Sequence, residues 1–273
     1  MKKWIYRILI VVFALAFAVS AFLLIRYFVA SRKEAKVYDE LASIVETARE
    51  NALKAQPVTP GNPEEPVSPW VEVTHPETGQ PVQVLPEYAE LFTMNPDLVG
   101  WIQLPGTKLD YPVMQTPQEP NYYLKRNFHR EKSSHGCIYV QEDCNVFTPS
   151  ENLTIYGHRM RDGSMFYPLE SYKKQAFYED HRIIRFDTIR ERHQYEIFAV
   201  FLTSATKGKG FAYNTFVDGA DQTDFDNFVA RCKKLSLYDT GITPTYGDKL
   251  ITLSTCEYSQ NNGRLVVVAR RID

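Results

Sequence analysis

Two β-branched, apolar runs lying close together near the C-terminus constrain this chain more than any other feature. Residues 250–255 read Leu-Ile-Thr-Leu-Ser-Thr, and a second run follows Arg264 as far as Ala269. The polar loop between them contains Asn261, Asn262 and Gly263, the turn chemistry that joins neighbouring strands. Cys256 then ends one strand and Arg264 starts the next, so both can point into one cleft. A thiol attacks well only as thiolate, and a fixed positive charge nearby favours that form. The same charge can stabilise the oxyanion formed when a thiolate adds to a carbonyl. The pair has no group that handles protons, and a histidine elsewhere must supply one.

Much of the remaining domain also reads as short strands. Trp101, Ile102, Leu104, Leu109, Tyr111 and Val113 lie in extended pieces separated by Pro105-Gly106 and Pro112. Further strand-like pieces fall at 136–140, 152–156, 182–186, 194–202, 249–255 and 264–271. Strands this short and this frequent predict a closed barrel or a sandwich. Helical patterns interrupt them around residues 86–92, after Met165, and over 223–235, where Phe225, Phe228, Val229, Cys232 and Leu235 share a face. The expected class is mainly β, α+β, with accessory helices. A net charge of −2 gives no reason to expect a nucleic-acid partner.

Ahead of this domain the chain changes character three times. Residues 8–25 are apolar except for Ser20, long enough to cross a bilayer. Ala16-Phe17-Ala18 resembles a signal-peptide cleavage site, but the apolar run continues for seven residues beyond it, which favours an uncleaved anchor. Basic residues flank both ends, Lys2, Lys3 and Arg7 before and Arg26, Arg32, Lys33 and Lys36 after, so charge does not fix the orientation. A short tail inside and a large domain outside is the default. Over residues 35–56, Val37, Leu41, Ile44, Val45, Ala48 and Ala52 recur at helical spacing. This reads as an amphipathic stalk, in its simplest form a solvated connecting helix. Prolines then stand at 57, 60, 63, 66 and 69, matching polyproline II at about three residues per turn and predicting a stiff spacer of roughly 40 Å. The expected division is thus residues 1–34 as tail and anchor, 35–56 as stalk, 57–69 as rigid linker and 70–273 as catalytic domain.

Of six histidines, His158 is best placed for chemistry. It follows Gly157 at the end of the strand-like piece 152–156, a turn position suited to presenting a side chain. His75 lies beside Pro76 in the linker region, and His129, His135, His181 and His193 have polar neighbours and read as surface residues. Four cysteines are too few for a disulfide scaffold. Cys137 and Cys144 are open to two readings, a pair formed outside the cell or two small buried residues. Cys232 lies on an apolar helix face and reads as core. No cysteine or histidine spacing matches a zinc site, so neither metal nor cofactor is expected.

Thr252-Leu253-Ser254-Thr255-Cys256, then Arg264, with Tyr156-Gly157-His158 upstream, resembles the signature of the sortases of Gram-positive bacteria. Val99-Gly100-Trp101-Ile102, residues 107–113, Asn121-Tyr122-Tyr123-Leu124 and Gly163-Ser164-Met165-Phe166 are similar to class B in particular. The resemblance spans about residues 86–271. It implies a closed sortase-type β-barrel and a cysteine transpeptidase, with Cys256 as nucleophile, His158 as general acid and Arg264 as oxyanion stabiliser. The backbone N–H of Glu257 would be a second oxyanion donor. The family cleaves a C-terminal sorting signal after threonine, forms a thioacyl-enzyme, and passes the acyl group to an amine of the cell-wall precursor or of another protein.

The resemblance also places Tyr156, Ser254 and Glu257 at the groove for the sorting peptide, although strand packing accounts equally well for Tyr156 and Ser254. The Gly- and Lys-rich loop 203–216 would form one wall. An acidic residue expected after the strand near Gly136 does not align cleanly with Gln141-Glu142-Asp143, so no supporting acid is assigned. The implied partners are surface proteins bearing the signal and the amine acceptor, at the cell membrane with the catalytic domain outside. Three competing readings are a pilin polymerase using a pilin lysine, a cysteine protease, and a degenerate envelope binding module. A papain-like protease places its cysteine early, at a helix start, whereas Cys256 is late and follows a strand.

Overall fold

Neither glycine nor proline occurs in residues 2–55, so no residue there breaks a helix. In the computed structural model, which describes residues 2–55 and 69–273, they form a single helix, α1 (Lys2–Ala55). No break in α1 marks the division expected at residue 34. The chain divides into two units, Met1–Asp39 and Glu40–Asp273. In the first, apolar side chains face outward, Phe13 at 71% and Phe17 at 77% exposure. This part of α1 is long and apolar enough to cross a membrane, with a mean hydropathy of 3.1 in its most apolar window. Apart from Pro69, the expected proline rod lies outside the described residues.

Within the second unit, residues 40–55 of α1 are not a solvated connector. Leu41 and Val45, one turn apart, are buried. Arg49 donates to the Tyr88 hydroxyl at 2.7 Å and to Asp187 Oδ2 at 3.1 Å. The apolar stripe read from the sequence needs cover, and the largely buried Asp187 carboxylate needs a cation.

A two-stranded hairpin, β1 (Val71–Thr74) with β2 (Pro81–Val84), opens the remainder. A 3-10 turn, Pro86–Tyr88, then leads into α2 (Ala89–Met94). Eight further strands follow: β3 (Leu98–Gln103), β4 (Asp110–Met114), β5 (Ile138–Val140), β6 (Asn152–Tyr156), β7 (Ile183–Thr188), β8 (Gln194–Ser204), β9 (Leu250–Glu257) and β10 (Gly263–Arg271). They close a barrel in the order β10-β8-β7-β3-β4-β5-β6-β9, so the expected closed β-barrel is what forms. Short 3-10 helices at Tyr122–Lys125 and Tyr167–Lys173, then α3 (Gln175–Asp180) and α4 (Gln222–Leu235), fill the connections. The Asp221 side chain starts α4 by accepting from the N–H groups of Thr223 and Asp224.

The last two strands are apolar on both faces because both faces are covered. Val266 and Val268 join Phe225, Phe228, Val229 and Cys232 of α4 in one cluster. Leu265 and Val267 point the opposite way and are also fully buried, with Ile251 and Leu253 of β9 and Leu153 and Ile155 of β6 in the same alternation. Each such side chain contributes about 1.5–3 kcal/mol by leaving water. Toward the cleft end the α4-side face turns polar, reading Thr252, Ser254 and Cys256 along β9. This switch is what turns a packed sheet face into a site.

Candidate active site

Register puts the chemistry in one place. β9 and β10 are antiparallel with Cys256 directly opposite Arg264, which sets their Cβ atoms about 4.5–5.5 Å apart on one face. β6 runs parallel to β9 on its other side, and the last pair in register is Tyr156 with Ser254. Two residues further, His158 comes level with Cys256. The chain between is pinned by Gly157 N–H to Ser254 O at 3.2 Å and by Thr255 Oγ1 to Gly157 O at 2.8 Å. His158, Cys256 and Arg264 line one cleft of about 820 Å3. The loop expected as a wall does line it, from Ser204 to Thr215.

Each of the three side chains has a distinct setting. Cys256 is half-buried, whereas Cys137, Cys144 and Cys232 are buried, and none of the four is in a disulfide; of the two readings of Cys137 and Cys144, the structure has the buried residues. Burial pushes the Cys144 thiol up to about 12 and raises that of Cys232 further. Cys256 is therefore the accessible thiol of the four. His158 Nε2 lies 2.7 Å from the Leu124 carbonyl oxygen. A carbonyl only accepts, so Nε2 carries a proton and Nδ1 is left to exchange one. Arg264 Nη1 donates to Gly263 O at 3.0 Å and Asn262 O at 3.3 Å. Among the described residues no carboxylate pairs with it, so its positive charge acts on the cleft.

A sortase domain model matches residues 102–272, well over half the chain. The chain belongs to the sortase family. It is a cysteine transpeptidase, and the relatives it matches are class B enzymes. It is 37% identical to sortase B of Staphylococcus aureus over 191 residues, covering 69% of this chain and 76% of that protein. It is 32% identical to sortase B of Listeria monocytogenes over 193 residues, 70% and 76% of the two chains. Among solved structures it resembles the Staphylococcus aureus sortase B–substrate complex with a TM-score of 0.72 and 30% identity, covering 90% of this chain and 99% of that one.

The remaining site residues of this sortase fall into two groups. Tyr156 and Ser254 line the cleft. The Tyr156 hydroxyl donates to Gln141 Oε1 at 2.6 Å, and Ser254 Oγ lies 2.6 Å from the Tyr213 hydroxyl. Glu257 does not line the cleft. Strand alternation turns its side chain away from that of Cys256, where its carboxylate takes Lys173 Nζ at 2.7 Å and the Ser259 N–H at 2.9 Å. Burial disfavours its charged form, yet the hydrogen bonds from Lys173 and Ser259 hold its pKa down at about 2. Glu142 and Asp143 line the cleft, and neither is hydrogen-bonded to His158. Among the described residues no three His, Cys, Asp or Glu side chains gather as metal ligands would.

Residues 121–124 carry part of the resemblance, but the sequence gives no sign that Asn121 and Leu124 line the cleft. Asn121 sits in the left-handed region at φ 59°, a conformation asparagine tolerates better than most residues, and accepts from the Tyr139 hydroxyl at 2.9 Å. The turn it starts delivers Leu124 O to His158. His135 is not a surface residue: it is 2% exposed, with Nε2 2.8 Å from Asp162 Oδ2. Its polar neighbours in sequence hide that burial.

Gly157 is required by contact rather than by backbone freedom. A Cβ there would sit 2.6–2.7 Å from the Phe166 ring, which is fully buried. Gly157→Ala is expected to destabilise the domain by about 1–3 kcal/mol and to slow the reaction by displacing His158. Urea unfolding beside steady-state kinetics checks both.

Proposed function

We propose that this sortase is a membrane-anchored transpeptidase that cleaves a C-terminal sorting signal and joins the protein to a cell-wall amine. The supporting observation is the register that brings Cys256, Arg264 and His158 to one cleft. The Cys256 thiol gives its proton to His158 and attacks the scissile carbonyl as thiolate. The developing oxyanion is stabilised by Arg264, which cannot deprotonate, and by the Glu257 N–H. The tetrahedral adduct collapses to a thioacyl-enzyme as His158 protonates the departing amine. An acceptor amine then attacks the thioester and gives up a proton to His158, a new amide forms and the Cys256 thiolate is released.

The cleft is the groove for the sorting peptide, with Tyr156 and Ser254 along its floor. Similarity to an S. aureus sortase B solved with substrate supports that use. The apolar part of α1 supplies the anchor. Residues 1–34 form tail and anchor, 35–56 the stalk, 57–69 the spacer and 70–273 the extracellular enzyme.

The test is intact-mass analysis of the detergent-solubilised chain mixed with a panel of sorting-signal peptides, with and without amine. An acyl adduct on Cys256 that becomes ligated product on adding amine is the expected result. Hydrolysis alone in the presence of wall-precursor amines would overturn the acceptor, and folded protein that forms no adduct with any peptide would overturn the reaction.

A further inference from the structure

Beyond Tyr156 and Ser254 the register of β6 with β9 ends, and the two Gly157 hydrogen bonds are what the sheet then supplies toward His158. Both segments also lean on one element behind the cleft, the 3-10 helix Tyr167–Lys173 and the residue before it. The Phe166 N–H donates to His158 O at 2.9 Å. One residue past His158, Arg159 Nη2 lies 3.2 Å from Glu170 Oε2. One residue past Cys256, the Glu257 carboxylate takes Lys173 Nζ at 2.7 Å. Lys173 Nζ also lies 2.9 Å from Glu170 Oε1. The result is an unbroken chain of alternating charges, Arg159, Glu170, Lys173 and Glu257, running from the neighbour of the histidine to the neighbour of the cysteine.

Lys173 is the side chain that touches both acids, and it cannot be dropped without leaving the buried Glu257 carboxylate short of its cation. Arg159 also lies against the Tyr167 and Tyr258 rings, 5.5 and 5.0 Å from their centroids. We infer that Lys173 is a positioning residue of the transpeptidase, the tie that holds the His158 and Cys256 segments at their working separation. The inference rests on the roles proposed above for those two residues. Small errors in such a separation are costly, since a displacement of about 1 Å in a reacting pair lowers rates by about 100-fold.

The experiment compares full-length wild type, Lys173→Met, Lys173→Arg and the double variant Lys173→Met/Glu257→Gln. The double variant removes the unpaired buried charge together with the tie. Lys173→Met is expected to lower kcat by roughly 10- to 100-fold while KM stays within about two-fold. Lys173→Arg should regain most of the rate by remaking both ion pairs. The double variant should recover the thermal midpoint yet stay slow. A kcat unmoved by Lys173→Met would overturn the inference, as would a double variant that recovers rate together with stability. Alkylation of Cys256 by iodoacetamide, read by mass, serves as a second measurement that needs no sorting peptide. A several-fold lower rate in Lys173→Met is expected there, and an unchanged rate counts against the tie. If wild-type protein makes no acyl-enzyme, the proposed reaction fails while the alkylation comparison still decides the role of Lys173.

Discussion

Cys256→Ala is expected to abolish acyl-enzyme formation and to lower transpeptidation by on the order of 10^6-fold, the scale seen when a covalent nucleophile is removed. No neighbouring thiol can substitute. Cys137, Cys144 and Cys232 are buried, and the cleft lining includes Cys256 alone of the four. The loss should occur without unfolding, because Cys256 is half-buried at a strand end and its deletion opens no closed cavity. The thermal midpoint should stay within a few degrees of wild type, and intact mass should show no peptide adduct. Cys144→Ala and Cys232→Ala should give the opposite pattern, with the adduct retained and some stability lost from packing. Peptide turnover by Cys256→Ala above background would place the nucleophile elsewhere and overturn the reading of the cleft.

That contrast among four cysteines is partly legible in the sequence. The apolar helix face around Cys232 marks it as core, and the strand-loop-strand pattern marks Cys256 and Arg264 as neighbours. A register set by two adjacent strands and an Asn-Gly loop is a local property, and period-two alternation gives the face on which each residue lies. The position of His158 is different in kind. Its place after Gly157 at a strand end marked it as a candidate, but its meeting with Cys256 depends on β6 pairing in parallel with β9 across about a hundred residues of chain, which no short window records.

Where reading failed, the deciding contact was tertiary. The resemblance put Glu257 near the groove, but alternation along β9 sends its side chain to Lys173 instead. The stripe of residues 40–55 was visible, whereas the partners of Arg49 beside it were not, because Tyr88 and Asp187 lie far along the chain. β1 and β2, at four residues each, are too short to display a period. His135 sits between Ser134 and Gly136, and only the fold brings Asp162 to it.

His158→Ala is expected to lower kcat with peptide substrates by about 10^2- to 10^4-fold, the usual range for a positioned general acid, with little change in KM. The size follows from the leaving group. An amine departing as its anion is a very poor leaving group, and His158 is the group able to deliver a proton as the carbon–nitrogen bond breaks. With Nε2 committed to the Leu124 carbonyl, Nδ1 is the ring atom that takes the proton from the thiol and returns it to the departing amine. This separates the acid role from simple activation of the thiol. A thioester analogue of the sorting peptide expels a thiolate that needs no proton, so His158→Ala should acylate with it far closer to the wild-type rate. If the deficit is instead equal for amide and thioester, His158 acts chiefly by raising the nucleophilicity of Cys256, and iodoacetamide alkylation should fall in parallel. If neither substrate is slowed, the proton comes from another group, and Glu142 and Asp143, which line the same cleft, become the residues to replace.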